Sequence, residues 1–355
     1  MNHLKQIAAK LAENQLDAML ITSDPGEFYA VGFHGEGYVL VTPDNYYYST
    51  DSRYIEAAQK IDGVSLSLIS GSKGHLDLAV EHIKADGLKR IGFEEGYMTV
   101  VDFNRIYKAM PEGVQLVPAQ AILDTLRASK DDEELELMRH AQALTDKAFT
   151  EILNDIRPGV TEMEIAAKLT YLMMSFGAQR NSFDPIVASG PNGSMPHAIP
   201  TERKISKGEF VTMDFGCVYG GYCSDMTRTV CVGEPTEEME LVYNTVLKAQ
   251  LAGIAAAKAG VPGCDIHNAA HDVIRAAGYG EYFGHGFGHS LGIEIHEDPG
   301  ARTANHNPMP LGCTVSAEPG IYLPGKFGVR IEDVILLTED GCIDITNSPK
   351  ELIRL

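Results

Sequence analysis

Four carboxylates and one imidazole stand in apolar, strand-like stretches in the second half of the chain. Asp214 lies in VTMDFG, and Asp225 lies in YCSDMTRT. His289 lies in GHGFGHSLG, Glu318 in SAEPGIY and Glu332 in GVRIED. A carboxylate inside an apolar strand is costly unless something positive neutralises it. This donor set suits a pair of divalent ions such as Mn²⁺, Co²⁺, Fe²⁺ or Zn²⁺, which would activate one shared water molecule.

The residues between the two aspartates predict how these side chains meet. The segment Tyr219-Gly-Gly-Tyr222 is typical of a hairpin turn, because glycine tolerates positive φ. A hairpin would bring Asp214 and Asp225 side by side on neighbouring strands. Either a metal or Arg228 could neutralise them. The competing interpretation is a set of separate salt bridges with Arg228, Arg330 and the histidines, but the similar setting of all five residues favours one shared site.

The first half of the chain alternates between strand-like and helical patterns. Strand-like runs cover residues 18–22, 38–42, 46–49, 64–69 and 90–93, and helix-like stretches cover 54–60, 76–85 and 101–110. Such alternation predicts an α/β domain with a mixed sheet. The histidines of this half are isolated from one another, so we expect no catalytic cluster here.

A charge-dense stretch over residues 127–134 marks a boundary. It predicts a linker that runs into a long helix, with Ser129 or an aspartate as the N-cap. We therefore expect one domain over residues 1–125 and a second over residues 126–355.

The second half contains a weak internal repeat with an offset of 101 residues, since Gly159-Val160 matches Gly260-Val261 and Gly177 matches Gly278. Each copy reads as a helix, a Gly-Val turn and an amphipathic helix that ends at glycine. Thr161 and Glu164 would form a capping box in the first copy. The repeat predicts two related α+β halves about a pseudo-two-fold axis, with a cleft between them.

Composition limits the classes of partner and compartment. The 355 residues include 29 Lys+Arg and 49 Asp+Glu, which gives a formal net charge of −20 and disfavours nucleic acid as a partner. No signal peptide and no apolar run of membrane-spanning length is visible, so we expect no membrane association. The six cysteines contain no CxxC pair. We expect reduced thiols and a cytoplasmic protein.

The motifs DFG, SDMTRT, GHGFGHSLGIEIHE, EPGIY and GVRIED, in this order, resemble those of the M24 metallopeptidases of pita-bread fold. That family includes methionine aminopeptidase, aminopeptidase P and prolidase. Residues from about 130 onward look like its catalytic domain, with two duplicated halves. The first 125 or so residues, with Asp51-Ser-Arg-Tyr54, resemble the creatinase-like N-terminal domain of Xaa-Pro peptidases. The resemblance also implies a homodimer.

The resemblance implies a role for each of the five ligands. Asp214 would chelate one ion, Asp225 and Glu332 would bridge both, and His289 would be the single histidine ligand. Glu318 would bind metal and also handle the proton of the attacking water. Two divalent ions per chain are implied, with Mn²⁺ as the first choice.

Five further positions match accessory residues of the family. His197 would contact substrate, and His296 would lie beside the scissile carbonyl. His285, Tyr322 and Arg330 match substrate-binding positions of the Xaa-Pro branch. Four of them have a plainer interpretation: an exposed turn residue for His197, a partner of His289 for His285, a core residue for Tyr322 and a neutralising charge for Arg330.

These assignments imply hydrolysis of the N-terminal Xaa-Pro bond of peptides, as in aminopeptidase P. The alternatives within this class are a strict Xaa-Pro dipeptidase (prolidase) and a broader aminopeptidase. Remote alternatives are a metal-free creatinase-like hydrolase, a metal-dependent lyase and a non-catalytic peptide-binding module. Glu297 and Asp298, which follow His296, would either recognise the substrate amine or only cap a turn.

Overall fold

A computed structural model describes residues 2–355 of the chain. It divides into two compact units, one that ends at Arg127 and one that runs from Ala128 to Leu355. No helix within the described residues is long and apolar enough to cross a membrane.

The first unit is built on one six-stranded sheet. Its helices are α1 (Leu4–Leu11), α2 (Asp24–Val31), α3 (Ile55–Ala58), α4 (His75–Ala85), α5 (Val100–Ala109) and α6 (Gln120–Ala128). Its strands are β1 (Ala18–Ile21), β2 (Tyr38–Val41), β3 (Tyr46–Thr50), β4 (Ser65–Leu68), β5 (Arg90–Phe93) and β6 (Gln115–Pro118). The strand order is β4-β3-β2-β1-β5-β6. Because β1–β2 and β2–β3 are antiparallel and the other pairs parallel, the predicted mixed sheet is confirmed.

Burial explains why the sequence pattern missed the helix α2. In α1 the apolar face is one-sided, with Leu4, Ile7 and Leu11 buried, so its helical period is visible. In α2 every residue from Gly26 to Val31 is buried, so no polar face marks the period. The strand β6 and the helix α6 were also not predicted.

The second unit begins with a long helix and contains the remaining elements. Its helices are α7 (Asp132–Ile152), α8 (Glu162–Ser175), α9 (Glu237–Ala256) and α10 (Gly263–Ala276), with short 3₁₀ turns at Gly190–Ser194 and Gly280–Tyr282. Its strands are β7 (Arg180–Asn181), β8 (Ile186–Ser189), β9 (Glu209–Phe215), β10 (Cys217–Tyr219), β11 (Tyr222–Cys223), β12 (Met226–Val232), β13 (Gly288–Ser290), β14 (Glu297–Ala301), β15 (Thr314–Ala317), β16 (Gly320–Leu323), β17 (Phe327–Arg330), β18 (Asp333–Leu337) and β19 (Cys342–Asp344).

The helices of this unit follow the predicted repeat. Adding the offset of 101 to the bounds of α8 gives those of α10, and both helices follow a glycine with positive φ, Gly159 or Gly260. The Thr161–Glu164 capping box is present. Asp131, and not Ser129, caps α7 and forms a second box with Glu134. The duplicated helix–turn–helix architecture is therefore confirmed.

The predicted metal ligands lie on or next to strands of two sheets in this unit. Strands β12, β9 and β8 form one sheet, and β14, β13, β15, β18 and β19 form another. Helices α7 and α8 pack with the first sheet around one apolar core, and α9 and α10 help to form a second core. Rigid strands therefore fix the backbone of the candidate site.

Candidate metal and substrate site

The predicted hairpin is present and places the two aspartates. Strands β9 and β12 pair antiparallel, so that Asp214 lies opposite Thr227. Asp225 immediately precedes β12. Between them, β10 and β11 turn at Gly220 and Gly221, whose φ angles of 57° and 85° require glycine.

The other three predicted ligands converge on the same place. His289 lies on β13, Glu318 follows β15, and Glu332 precedes β18. One ligand atom from each of Asp225, His289 and Glu332 lies within 4.8 Å of the other two. His289 Nε2 is 3.6 Å from Asp225 Oδ2 and 3.3 Å from Glu318 Oε1.

The hydrogen bonds of His289 define which ring nitrogen faces the carboxylates. Its Nδ1 is 3.1 Å from the carbonyl oxygen of Ser290, and a carbonyl only accepts, so Nδ1 carries a proton. Burial lowers the pKa of His289. In the neutral ring Nε2 then presents a lone pair to two carboxylate oxygens. Lone pairs at such distances repel unless a cation lies among them, as in a histidine–carboxylate metal site.

The carboxylates repel one another in the same way. Burial raises the pKa of Asp225 well above its usual range, and Asp214 and Glu318 raise it further. Burial also raises the pKa of Glu332 well above its usual range, and the charge of Asp225 raises it further. Burial raises the pKa of Glu318 as well. Ionised carboxylates that lie this close together and away from water are costly, so the cluster needs positive charge.

The two carboxylate oxygens of Asp214 differ in their hydrogen-bond donors. Its Oδ2 accepts a hydrogen bond of 2.6 Å from Arg330 Nη2, whereas its Oδ1 is buried without a hydrogen-bond partner. An unpaired buried carboxylate oxygen is expensive, and a metal ligand needs such an oxygen. The donor set, its spacing and this free oxygen therefore fit divalent cations.

Two hydroxyl groups that sequence reasoning missed orient the ligands. Thr227 Oγ1 donates to Glu332 Oε2 at 2.6 Å, and Ser316 Oγ donates to Glu318 Oε1 at 2.9 Å. Each hydroxyl lies two residues from a ligand, Asp225 or Glu318, and period-two alternation places such pairs on one face of an extended chain. That spacing is the signal that could have found them.

Arg330, Tyr322 and His285 form one hydrogen-bonded chain beside Asp214. Arg330 Nη1 donates to the Tyr322 hydroxyl at 2.9 Å, and that hydroxyl is 2.9 Å from His285 Nε2. His285 Nδ1 faces the carbonyl oxygen of Gly286 at 2.8 Å, so Nδ1 is the protonated nitrogen and Tyr322 donates to Nε2. The partner of His285 is thus Tyr322, and the interpretation of His285 as a partner of His289 is wrong.

A cleft of about 580 Å³ opens onto this cluster. Its apolar lining includes Phe183, Pro196 and Ile295, and its polar lining includes His197 and His296. His296 packs edge-on against His289 with ring centroids 4.4 Å apart, whereas His197 is exposed on the wall. All five predicted ligands line this cleft, together with His285, Tyr322 and Arg330.

A buried glutamate that the sequence did not point out fixes the segment that carries His197. Glu162, at the start of α8, accepts hydrogen bonds from Ser189, Asn192 and Thr201. These residues bracket the segment on both sides of His197. No motif marks Glu162, because in the sequence it is one acid in the first turn of a helix.

Three charged residues have other partners than the sequence suggested. Arg228 pairs with Asp333 at 2.7 Å, so it does not neutralise Asp214 and Asp225. Glu297 pairs with the buried Lys130 at 3.0 Å, which argues against a role in binding the substrate amine. Asp298 pairs with Arg302 at 2.9 Å.

Comparison with known proteins places both units. Residues 136–339 match "Metallopeptidase family M24", and residues 3–129 match "Creatinase/Prolidase N-terminal domain". The peptidase YqhT of Bacillus subtilis is 41% identical over 96% of both chains.

Two solved structures resemble the whole chain. One is the Xaa-Pro dipeptidase from Bacillus anthracis, with 40% identity, a TM-score of 0.95 and 99% coverage of both chains. The other is the X-Pro aminopeptidase from Thermotoga maritima, with 35% identity and a TM-score of 0.91 over 96% of this chain and 98% of that one. The five-ligand cluster, the duplicated second unit and these matches together show that the chain belongs to the M24 metallopeptidase family, with a creatinase/prolidase-type N-terminal domain.

Proposed function

We propose that the protein hydrolyses the N-terminal Xaa-Pro bond of peptides and uses two divalent ions to do so. The observation that carries the proposal is the convergence of two buried carboxylates, two partly buried carboxylates and one neutral histidine on a cleft, with an unpaired oxygen on Asp214. Relatives named as Xaa-Pro dipeptidases and aminopeptidases support the substrate class.

Asp214, Asp225, His289, Glu318 and Glu332 would hold the ions. When bound, these ions lower the pKa of a water molecule and polarise the substrate carbonyl. Glu318 moves the proton: Oε1 already accepts from Ser316, which leaves Oε2 to take a proton from the attacking water and deliver it to the leaving nitrogen.

The histidines and the tyrosine position the substrate. An N–H of His296 donates to the carbonyl oxygen as negative charge develops there. His197, on the other part of the wall, contacts the peptide backbone. A proline nitrogen in a peptide bond has no N–H, so recognition of proline depends on shape. Tyr322 and His285, which packs edge-on against Phe283 with centroids 5.0 Å apart, would supply the apolar surface.

One observation favours a strict dipeptidase as the second candidate. A dipeptide carries its carboxylate next to the proline, and that carboxylate needs a cationic partner. Arg302 lines the cleft, and its head group is partly exposed beside Asp298. A guanidinium binds a carboxylate through two parallel hydrogen bonds.

The test uses chelated protein that is reloaded with Mn²⁺, Co²⁺ or Zn²⁺. Hydrolysis of an Xaa-Pro dipeptide, an Xaa-Pro-Yaa tripeptide and a Met-Ala-Yaa tripeptide is compared for the wild type and Arg302→Met. Cleavage of the tripeptide with proline second, unaffected in Arg302→Met, supports the aminopeptidase. Cleavage of the dipeptide alone, with a higher KM in Arg302→Met, indicates the dipeptidase. If no metal restores cleavage of any peptide, the proposed function is wrong.

Three finer features are part of the proposal. Mn²⁺ is the proposed ion, because carboxylate-rich sites suit it. A homodimer is proposed from the family resemblance, and analytical ultracentrifugation would test it. A cytoplasmic location is proposed because all six cysteines are free thiols, and fractionation of cells that produce the protein would test it.

A further inference from the structure

Arg228 lies next to the acidic cluster but is directed away from it. Its side chain is 1% exposed, and all five of its N–H groups are used. Nε donates to the carbonyl of Pro349 at 2.8 Å, and Nη1 donates to the carbonyls of Thr227 at 2.9 Å and Glu332 at 2.6 Å. Nη2 donates to Asp333 Oδ1 and to the carbonyl of Ser348, both at 2.7 Å. The guanidinium thus joins three chain segments immediately behind Glu332.

Asp333, the neighbour of Glu332, is held from three directions. It is fully buried. Its Oδ1 accepts from Arg228, and its Oδ2 accepts from Gln250 Nε2 at 2.8 Å and from Lys350 Nζ at 2.5 Å. Lys350 also pairs with Asp344 at 2.6 Å. The backbone at positions 332–333 therefore has little freedom to move.

The segment that supplies Lys350 is itself fixed at both ends. We call residues 347–355 the strap. Asp146 on α7 accepts from the backbone N–H groups of Asn347 and Ser348, at 3.0 and 2.9 Å. Farther along, Cys231 in β12 donates to the carbonyl of Ile353. The strap thus lies against β12, the strand that follows Asp225.

The charges of this network balance one another. Arg228 and Lys350 supply two positive charges, and Asp333 and Asp344 supply two negative ones. The network therefore has no net charge with which to neutralise the acidic cluster. Its remaining effect on that cluster is geometric, through the Glu332 carbonyl that Arg228 binds and through the peptide that joins Glu332 to Asp333.

We propose that Arg228 and Lys350, through Asp333 and the strap, are positioning residues for the Glu332 carboxylate. They touch neither the cleft nor the substrate. The inference rests on the proposed function, in which Glu332 binds metal. Groups behind metal ligands fix ligand orientation, and their loss typically costs 10–100-fold in metal affinity.

The experiment measures Mn²⁺ binding by isothermal titration of chelated protein at 25 °C. Lys350→Met should weaken at least one Mn²⁺ about tenfold or more, while circular dichroism shows a folded chain. Lys350→Arg, which keeps the charge, should remain within about threefold of the wild type. The matched control is Lys326→Met, which breaks the exposed pair with Glu238 and should leave binding unchanged.

A second variant keeps the inference testable if Lys350→Met does not fold. Asp146→Ala loosens the strap without touching the charged network, and it should weaken Mn²⁺ binding several-fold. A folded Lys350→Met or Asp146→Ala protein with wild-type Mn²⁺ affinity overturns the inference and leaves the proposed function intact. A wild-type protein that binds no divalent ion overturns the proposed function, and the inference with it.

Discussion

In the first unit, Glu27 and Glu94 are each only 1% exposed, as deeply buried as Glu332 in the second unit. Glu27 accepts hydrogen bonds from the N–H groups of Gly35 and Gly37 and from the Tyr48 hydroxyl. Glu94 accepts from two backbone N–H groups and a serine hydroxyl. In the candidate metal site of the second unit, by contrast, the carboxylates face one another, and an oxygen of Asp214 has no donor at all.

The difference shows that burial of a carboxylate does not by itself indicate function. A lone carboxylate with neutral donors on both oxygens tethers loops, as Glu27 does for residues 35–37. Several carboxylates with too few donors leave a charge deficit that only a cation removes. The supply of donors therefore separates a structural acid from a metal ligand.

The largest expected effect comes from converting one carboxylate of each kind into an amide. Glu332→Gln should lower kcat/KM for an Xaa-Pro peptide by about 10³-fold or more, which corresponds to about 4 kcal/mol in the activation barrier. Glu27→Gln should leave kcat/KM within about threefold. Steady-state kinetics at saturating Mn²⁺ measure both. Equal losses in the two variants would contradict the distinction.

The second largest expected effect is a change with pH in the free energy of unfolding, which Glu27 causes. Burial raises the pKa of Glu27 from 4.5 to about 7. Because folding disfavours the charged form, its contribution to stability is fully present below pH 4.5 and is lost as the pH rises to about 7. The loss is on the order of 3 kcal/mol. Relative to the wild type, Glu27→Gln should therefore gain stability by about this amount between pH 4.5 and pH 8.

Urea unfolding at several pH values measures this difference. The acidic cluster of the second unit titrates in both proteins, so the comparison isolates Glu27. Glu36→Gln is the control, since Glu36 is exposed in the same unit and its pKa is lowered by Tyr54 and Arg53. A stability difference between wild type and Glu27→Gln that does not change with pH would show that Glu27 is not the responsible group.

Metal binding should stabilise only through the second unit. At a free ion concentration of about 100 times Kd, binding to the folded state adds about 2.7 kcal/mol to the free energy of unfolding. We expect a corresponding rise in Tm for the wild type and for Glu27→Gln, and a much smaller one for Glu332→Gln. Thermal unfolding with and without Mn²⁺ measures the shift. A full shift in Glu332→Gln would mean that the ion binds elsewhere.

Much of the site was predictable because its residues lie in strands and turns with strong local signals. The glycine pair at 220–221 predicted the hairpin, and the apolar surroundings of the carboxylates predicted a shared cation. The partner of a long side chain was harder to predict. Arg228 is three residues from Asp225, but it reaches Asp333, more than 100 residues away in sequence. The packing of β12 beside both β18 and the strap brings these groups together.

The failure to predict α2 has a related physical reason. Sequence periodicity depends on a contrast between buried and exposed faces, and α2 has almost no exposed face. Glu162 and Lys130 look like ordinary helix and linker charges, yet each is buried and bonded to segments distant in the chain. Local patterns predict the ligands of this site, whereas the groups that hold those ligands depend on tertiary contacts.

We expect the smallest effect from removing a buried tyrosine hydroxyl, and each unit offers one such hydroxyl. Tyr322 accepts from Arg330 and donates to His285, and burial raises its pKa to about 12, so it remains a donor at neutral pH. Tyr322→Phe should lower kcat/KM for Xaa-Pro peptides about tenfold, or about 1.4 kcal/mol, because His285 and Arg330 each lose a partner beside Asp214.

Tyr48→Phe removes the hydroxyl that donates to Glu27. It should cost about 1–2 kcal/mol of stability with activity unchanged. Kinetics and urea unfolding of both variants check the pair, and a loss of activity in Tyr48→Phe would show that the hydrogen bonds of Glu27 also support catalysis.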